Sequence, residues 1–332
     1  MAVRIERGVT PMPGRKEKEQ HMKHKTLRTL LCVILTVCFC LSAIAPVSAA
    51  GLFGGDTGAA SIFDEWTRSL KDRFIEKNPG TDETPAEPLA GAGTNGFEYK
   101  IVFLDCGRKY FSVDSIKTII DNAAAAGFNY VQLAVGNDGM RFLLDDMSLT
   151  VNGVTYSHND VSAAIHAGNE AYYNFTTDEL TQTEMDTIIA YAKEKGIGII
   201  PCVNTPGHMD AILDAAEALT KTTCSYNGSG RTIDVTNDTA VAFTQAFVQK
   251  YINYFAGKGC NLFNMGADEY ANDIYTSGSM GFGNLQSTGK YSDYVTYVNQ
   301  LAKMIDAAGM TPMAFNDGIY FNNNTSSVTF DT

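Results

Sequence analysis

Histidine and tryptophan are scarce in this chain of 332 residues, which contains five histidines and one tryptophan. Only His158, His166 and His208 follow residue 49, and none of them forms a His-x-His pair of the kind that binds a catalytic metal ion. This pattern argues against a metal-dependent hydrolase, and we expect no cofactor. The tryptophan, Trp66, lies so early that no tryptophan-lined pocket can form from the later sequence.

Clusters of basic residues are absent downstream of residue 49. That part of the chain has 17 Lys and Arg against 34 Asp and Glu, a formal charge near −17. Because an acidic surface repels phosphate backbones, the composition argues against nucleic acid as a partner and leaves neutral molecules open.

Cysteines with metal-ligand spacing are also missing. Four cysteines follow residue 49, and three of them adjoin apolar segments, which favours buried free thiols over a disulfide framework. These four are Cys106, Cys202, Cys224 and Cys260.

The first 49 residues read as a secretory signal peptide rather than as part of the fold. A basic segment at 22–28 precedes an apolar run at 30–45 and small residues at 47–49. The run is shorter than the roughly 20 residues of a spanning helix. We therefore expect a secreted or cell-surface protein with no membrane span after signal cleavage. Residues 50–96 are rich in Gly, Ala, Thr and Pro and predict a linker with a short helix at 61–77, or alternatively a helix packed on the domain.

From residue 97 to residue 332 apolar strands and amphipathic helices alternate, which predicts an α/β domain with a parallel sheet covered on both faces. The predicted strands are 100–104, 129–135, 197–203, 262–265 and 311–315, and the predicted helices are 112–126, 183–195, 208–219, 239–257 and 292–308.

A closed barrel is favoured over an open nucleotide-binding sheet, because no glycine-rich phosphate loop follows the first strand. Polar residues follow every predicted strand, as expected where the loops of a TIM-type (β/α)8 barrel form a site. Five or six of the eight strands fit into the chain, so we expect the N-terminal part of such a barrel. The polar residues at strand ends are Asp105, Arg108, Asn137, Asp138, Asn204, His208, Asp268, Glu269, Asn316 and Asp317.

Asp268 and Glu269 are the most informative of these residues. They follow an apolar strand directly, and Gly266 and Ala267 give the backbone room to turn. Since successive side chains of a strand point to opposite faces, the two carboxylates can serve one ligand only if the strand ends before them.

Five separated segments, in this order, resemble family-20 glycoside hydrolases, above all the bacterial cell-surface exo-β-N-acetylglucosaminidase and lacto-N-biosidase branch. The resemblance covers roughly residues 98–332. The segments are GRKYF at 107–111, GNDGMRFLLDDM at 136–147, IPCVNTPGHMDA at 200–211, FNMGADEYAND at 263–273 and PMAFNDGIY at 312–320.

The resemblance implies retaining hydrolysis of β-linked N-acetylhexosamines, in which the 2-acetamido oxygen of the substrate acts as nucleophile through an oxazolinium intermediate. Glu269 would then protonate the leaving oxygen and later activate water, and we expect it to be buried beside Asp268. Asp268 would orient the acetamido group and stabilise the intermediate. The implied partner is an oligosaccharide or a glycoprotein glycan.

Arg108 would by the same resemblance donate to distal sugar hydroxyls. Gln132, Asp138, Asn204, His208 and Asp317 occupy matching positions and are expected in substrate binding; for His208 a helix-capping or buried structural role is equally open. The sequence differs from many members at Cys202, Asn204, Asn264 and Ala267. Two alternatives stay open, namely a lacto-N-biosidase that releases a disaccharide and a catalytically silent glycan-binding barrel.

Overall fold

The computed structural model describes residues 97–173, 178–276, 278–320 and 328–330, without the side chain of Tyr173. Residues 1–49 and 50–96 lie outside these ranges, so the signal peptide and the linker stay predictions. The strands are β1 (Ile101–Asp105), β2 (Tyr130–Asn137), β3 (Gly139–Met140), β4 (Leu149–Val151), β5 (Val154–Tyr156), β6 (Gly198–Thr205), β7 (Leu262–Gly266), β8 (Tyr275–Thr276), β9 (Ser279–Met280) and β10 (Thr311–Met313). The helices are α1 (Val113–Ala125), α2 (His158–Tyr173), α3 (Gln182–Glu194), α4 (Asp210–Thr220), α5 (Asp238–Gly257), α6 (Phe282–Ser287) and α7 (Tyr291–Ala307).

The main sheet has five parallel strands in the order β1-β2-β6-β7-β10. Each of these strands lies beside the one that precedes it in the main alternation, whereas a doubly wound sheet reverses its order at one point. The unbroken order is that of a barrel wall. The short strand β3 turns back antiparallel to β2.

The curvature of this sheet also indicates a barrel. In a flat sheet β1 and β10 would be separated by about 19 Å, since neighbouring strands lie about 4.8 Å apart. The ring of Phe103 on β1 nevertheless lies edge-on to the ring of Phe315, just after β10, with centroids 6.1 Å apart. The two outer strands therefore bend towards each other, and the predicted fold class, part of a TIM-type barrel, is confirmed.

The helices form where the sequence supplies caps and an apolar face. Ser112 and Asn237 cap α1 and α5 through side-chain oxygens, and Thr181 forms a reciprocal capping box with Glu184 at α3. The predicted strand and helix boundaries lie within two residues of those found. Among the described residues, no helix combines the length and apolar character needed to cross a bilayer.

The sequence patterns did not predict the hairpin β4-β5, the helix α2 or the hairpin β8-β9. The helical pattern of α2 is weak, because only Val161 and Ile165 are large apolar residues among its buried positions, and α2 packs closely on α4 at Gly168. A Cβ atom on Gly168 would lie 2.6 Å from the backbone oxygen of Ala211. This close packing fixes the position of the end of α2 near the carboxyl ends of the strands.

Candidate active site

The chain turns sharply after β7, which brings Asp268 and Glu269 out of the alternating pattern of a strand. Gly266, Ala267 and Glu269 all have positive φ, at 77°, 65° and 48°. A Cβ atom at Gly266 would overlap the side-chain oxygen of Asn204, so only glycine fits there. The turn expected at this position is present.

Asp268 lies against β6. The Asn204 amide donates to Asp268 Oδ1 at 2.7 Å, and the Asp268 side chain is 23% exposed. Burial raises the pKa of Asp268, while the hydrogen bond from Asn204 and the charge of His208 oppose this rise only partly. Asp268 is therefore held in place by its hydrogen bond, and keeping it ionised in this partly buried position costs folding free energy.

Glu269 is more exposed than the sequence led us to expect, with 56% of its side chain accessible. The expectation of burial is wrong because the turn points the side chain into the open mouth of the sheet. Glu269 Oε2 lies 3.2 Å from His208 Nε2. Its backbone N–H donates to Asp317 Oδ2 at 2.8 Å, so Asp317 contacts the main chain of the acid.

Asp138, at the end of β2, is the buried centre of the charge network, with a side chain 2% exposed. Arg108 Nε donates to Oδ2 at 2.7 Å, Tyr172 Oη donates to the same oxygen at 2.5 Å, and His208 Nδ1 lies 2.8 Å from Oδ1. Burial by itself would raise the pKa of Asp138, but the hydrogen bonds from His208, Tyr172 and Arg108 outweigh it and hold this pKa far below its usual range.

His208 joins the two sides of the network. Its ring is 6% exposed, with Nδ1 towards Asp138 and Nε2 at 3.2 Å from Glu269 and 3.8 Å from Asp268. Burial lowers the pKa of His208, but the hydrogen bond to Asp138 and the charge of Asp268 raise it by more. Arg108 Nη2 also lies 3.1 Å from Nδ1, and because a carboxylate can only accept, the Nδ1 proton points to Asp138.

Arg108 is held by two acids at the rim. Its Nη1 lies 3.1 Å from Asp105 and its Nε binds Asp138, while the side chain remains 41% exposed. Asn137 donates to Asp105 and accepts from Asn204, which links the Arg108 side of the site to the Asp268 side.

Gln132 lies apart from the other predicted residues. It sits on β2 five positions before the strand ends, at 3% exposure, and its side-chain oxygen accepts from Asn264 at 3.3 Å. At about 3.3 Å per residue this places Gln132 some 16 Å below the carboxyl end of β2, in the interior of the sheet.

Tyr172 and Arg231 belong to the site but were not singled out in the sequence. Tyr172 comes from the last turn of α2, and Arg231 pairs with Asp210 at 3.2 Å and lies 3.9 Å from Asp138 Oδ1. Neither residue directly follows a strand of the main sheet, and that position was the feature by which site residues were selected from the sequence. Among the described residues, no group of three or more His, Cys, Asp or Glu is arranged to hold a metal ion. Cys106, Cys202 and Cys224 are buried free thiols and Cys260 is half-buried.

A curved sheet of consecutive parallel strands with acidic and polar side chains gathered at its carboxyl end defines a barrel of the type that hydrolytic enzymes use. Residues 97–330 match the catalytic domain of glycosyl hydrolase family 20. The chain belongs to this family of glycoside hydrolases, and the resemblance inferred from its motifs is confirmed.

Solved structures of the pneumococcal exo-β-D-N-acetylglucosaminidase StrH are similar to this chain, at 44% and 45% identity and a TM-score of 0.66. In both, the match covers 70% of this chain and 56% of the other. A lacto-N-biosidase of Bifidobacterium bifidum is 26% identical over 211 residues, 59% of this chain and 18% of that protein. A β-hexosaminidase of Vibrio furnissii is 30% identical over 125 residues, 36% of this chain and 19% of that protein. The chain thus spans about a fifth of the length of these two relatives.

Proposed function

We propose that this protein hydrolyses terminal, non-reducing β-linked N-acetylhexosamine residues of the GlcNAc type from glycans. The reaction would proceed with retention of configuration through an oxazolinium intermediate. The observation that carries the proposal is the convergence of Asp268 and Glu269 on one imidazole, that of His208. If the two carboxylates lie on the same side of the sugar, neither of them can attack the anomeric carbon from the opposite side, and the acetamido group of the substrate can serve as nucleophile there.

Asp268 orients and stabilises the acetamido group in this proposal. Its Oδ1 accepts from Asn204, and its Oδ2 lies 3.8 Å from His208 Nε2, too far for a hydrogen bond. An acetamido N–H bound to Oδ2 would turn its carbonyl oxygen towards the anomeric carbon. The negative charge of Asp268 would stabilise the positive charge that develops as the ring forms.

Glu269 transfers the proton. The contact between His208 Nε2 and Glu269 Oε2 at 3.2 Å allows one proton to lie on either group. With the proton on Glu269, His208 is neutral and keeps its Nδ1–H on Asp138, and Glu269 can protonate the leaving oxygen. Once this proton has left with the leaving group, Glu269 is ionised and can take a proton from the water that opens the oxazolinium ring, which restores the starting state.

Arg108 is the donor for sugar hydroxyls. Asp105 and Asp138 fix the orientation of its guanidinium group, and 41% of the side chain is exposed to solvent. Asp138 and Asn204 are 2% exposed and Gln132 is 3% exposed, so they support the residues that touch the sugar rather than touch it themselves. Asp317 would act through the backbone of Glu269.

The charge of the site favours a neutral glycan. Acids outnumber the bases Arg108, Arg231 and His208, so a phosphate or carboxylate on the sugar would be repelled. The acids are Asp105, Asp138, Asp210, Asp268, Glu269 and Asp317. We propose an oligosaccharide or glycoprotein glycan as substrate, no nucleic acid partner, and a secreted or cell-surface location based on the leader pattern at residues 22–49.

Release of p-nitrophenol from its β-N-acetylglucosaminide tests the proposal, with proton NMR of the first sugar product to read its anomeric configuration. Activity should disappear in Glu269→Gln and persist in Glu194→Gln, which makes the same change on the exposed surface of α3. The corresponding β-glucoside, which lacks the acetamido group, should be inert. Inversion at the anomeric carbon, or normal turnover by Glu269→Gln, would refute the mechanism.

A lacto-N-biosidase is the second candidate, supported by the relative from Bifidobacterium bifidum. It would use the same acids but release a disaccharide. Product analysis on lacto-N-tetraose separates the two activities. Calorimetric binding of GlcNAc glycosides without any hydrolysis would instead favour a silent glycan-binding barrel.

A further inference from the structure

Tyr172 lies on α2, outside the main sheet, and donates to Asp138, the centre of the charge network. Hydrogen bonds hold the last turn of α2 in place. Three residues earlier on α2, the Asn169 side chain accepts from the Met140 N–H at 2.8 Å and donates to the Met140 oxygen at 2.7 Å. Met140 lies two positions after Asp138, on β3. This buried two-way hydrogen bond fixes the last turn of α2 against the segment that carries Asp138.

In the hydrogen bond between Tyr172 and Asp138, only the phenol can be the donor. Asp138 is ionised and can only accept, so the phenol of Tyr172 donates to Oδ2, at 2.5 Å. Arg108 Nε donates to the same oxygen at 2.7 Å, and His208 Nδ1 binds the other one. The Asp138 carboxylate is therefore shared among a cation, an imidazole and a neutral phenol.

The ring of Tyr172 is supported from its other side. The guanidinium carbon of Arg231 lies 6.0 Å from the ring centroid, and Arg231 is itself paired with Asp210. Arg231 also fixes the neighbouring chain, because its backbone oxygen accepts from the N–H of Met209, the residue after His208. The phenol of Tyr172 and the guanidinium of Arg231 both lie beside the carboxylate of Asp138.

We propose that Tyr172 is a positioning residue for the reaction, which acts on His208 through the hydrogen bond it donates to Asp138. The inference rests on the proposed function. Tyr172 binds Asp138 and also contacts Arg108. Its hydroxyl neutralises part of the charge that Asp138 presents to His208. By doing so it sets how readily His208 passes its proton to Glu269.

Without the Tyr172 hydroxyl, more of the negative charge of Asp138 acts on the proton at His208 Nδ1. Asp138 should therefore stabilise the protonated form of His208 more strongly. In Tyr172→Phe the pKa of His208 should rise by about half a unit, because the carboxylate that accepts its Nδ1 proton loses one of its hydrogen-bond donors. The charged or titratable groups that surround this pair are Asp105, Arg108, Tyr172, Asp210, Arg231, Asp268, Glu269 and Asp317.

The test compares Tyr172→Phe with Tyr191→Phe. Tyr191 on α3 also donates to a carboxylate, Asp121, at 2.8 Å, on the outer helical layer. Two readouts are needed: the titration of the His208 ring proton by NMR, assigned by its loss in His208→Gln, and the pH profile of p-nitrophenyl glycoside hydrolysis. We expect the alkaline limb of kcat/KM to move up by about half a unit and kcat to fall about fivefold with KM nearly unchanged, in Tyr172→Phe only.

A double-mutant cycle with Asp138→Asn shows whether Tyr172 acts through Asp138. In the Asp138→Asn background, Tyr172→Phe should change neither the His208 titration nor kcat. Equal behaviour of Tyr172→Phe and Tyr191→Phe, or a Tyr172 effect that survives Asp138→Asn, would overturn the proposal. Absence of hydrolysis by the unmodified protein would refute the proposed function instead, and the histidine titration would still decide the coupling.

Discussion

Asp317 accepts a hydrogen bond from the backbone N–H of Glu269, 48 residues earlier in the chain, at 2.8 Å. This bond joins the segment after β10 to the turn after β7. It fixes the main chain of the proposed acid directly and leaves its side chain free to move between His208 and a substrate.

Replacement of Asp317 by Ala should lower kcat about tenfold, because Glu269 loses the anchor of its backbone and a small displacement of an acid is costly. Asp317→Asn keeps an acceptor oxygen and should retain more activity. Steady-state kinetics of both variants provide the measurement, with Asp306→Ala on the exposed side of α7 as control. Equal losses in Asn and Ala variants would indicate that the charge, rather than the backbone contact, is what matters.

Asp268→Asn should reduce kcat by about 10²- to 10³-fold, as expected when one electrostatic stabiliser of a transition state is removed. The same variant should be more stable at neutral pH than the unmodified protein. Burial raises the pKa of Asp268, so its ionised form destabilises the fold above the ordinary carboxyl pKa, and this cost vanishes as the pH falls below that value. Urea unfolding at pH 7 and pH 4 measures the difference, which should shrink at pH 4. A variant that loses both activity and stability at pH 7 would contradict this account.

Histidine 208 should stabilise the fold in a pH-dependent manner. Its pKa in the folded protein is raised, so the contribution is fully present below the ordinary histidine pKa and is lost as the pH rises through the folded value. The gap in unfolding free energy between the unmodified protein and His208→Gln should therefore be larger at pH 6 than at pH 9. A gap that is constant with pH would mean that His208 is not charged in the folded state.

Glycine 266 should be irreplaceable for two independent reasons, its positive φ and its contact with Asn204. Gly266→Ala should cost about 3 kcal/mol or more of unfolding free energy, because a packed amide has to move. It should also reduce kcat, since Asn204 holds Asp268. Gly259 has a similar φ of 82° but open space around its Cβ position, so Gly259→Ala should cost only about 1 kcal/mol. Denaturant unfolding of the two variants should separate the effect of backbone strain, which both share, from the effect of overlap with Asn204, which only Gly266→Ala has. Equal losses of unfolding free energy would show that the overlap with Asn204 is unimportant.

Local sequence was sufficient for the parts of the fold that have a strong local signal. Strand β7 and helix α5 could be placed from apolar runs and caps, and the turn at Gly266 and Ala267 from two small residues before two acids. Helix α2 gave no comparable signal, because its buried positions include only two large apolar residues, Val161 and Ile165, beside Gly168 and Asn169, which the neighbouring helix α4 and Met140 require.

The sequence by itself indicated the family and the barrel class and singled out the two adjacent acids, because these depend on periodicity and on short motifs, each of which lies within about a dozen consecutive residues. The tertiary structure alone decided that Asp138 is buried and bound by three donors, that Glu269 is open to solvent, that Gln132 lies deep in the sheet, and that Tyr172 belongs to the site. Burial and hydrogen bonding arise between elements that are 30 to 100 residues apart in the chain. The physical reason is that the pKa and the role of a carboxylate depend on the donors and the solvent around it, and packing supplies both.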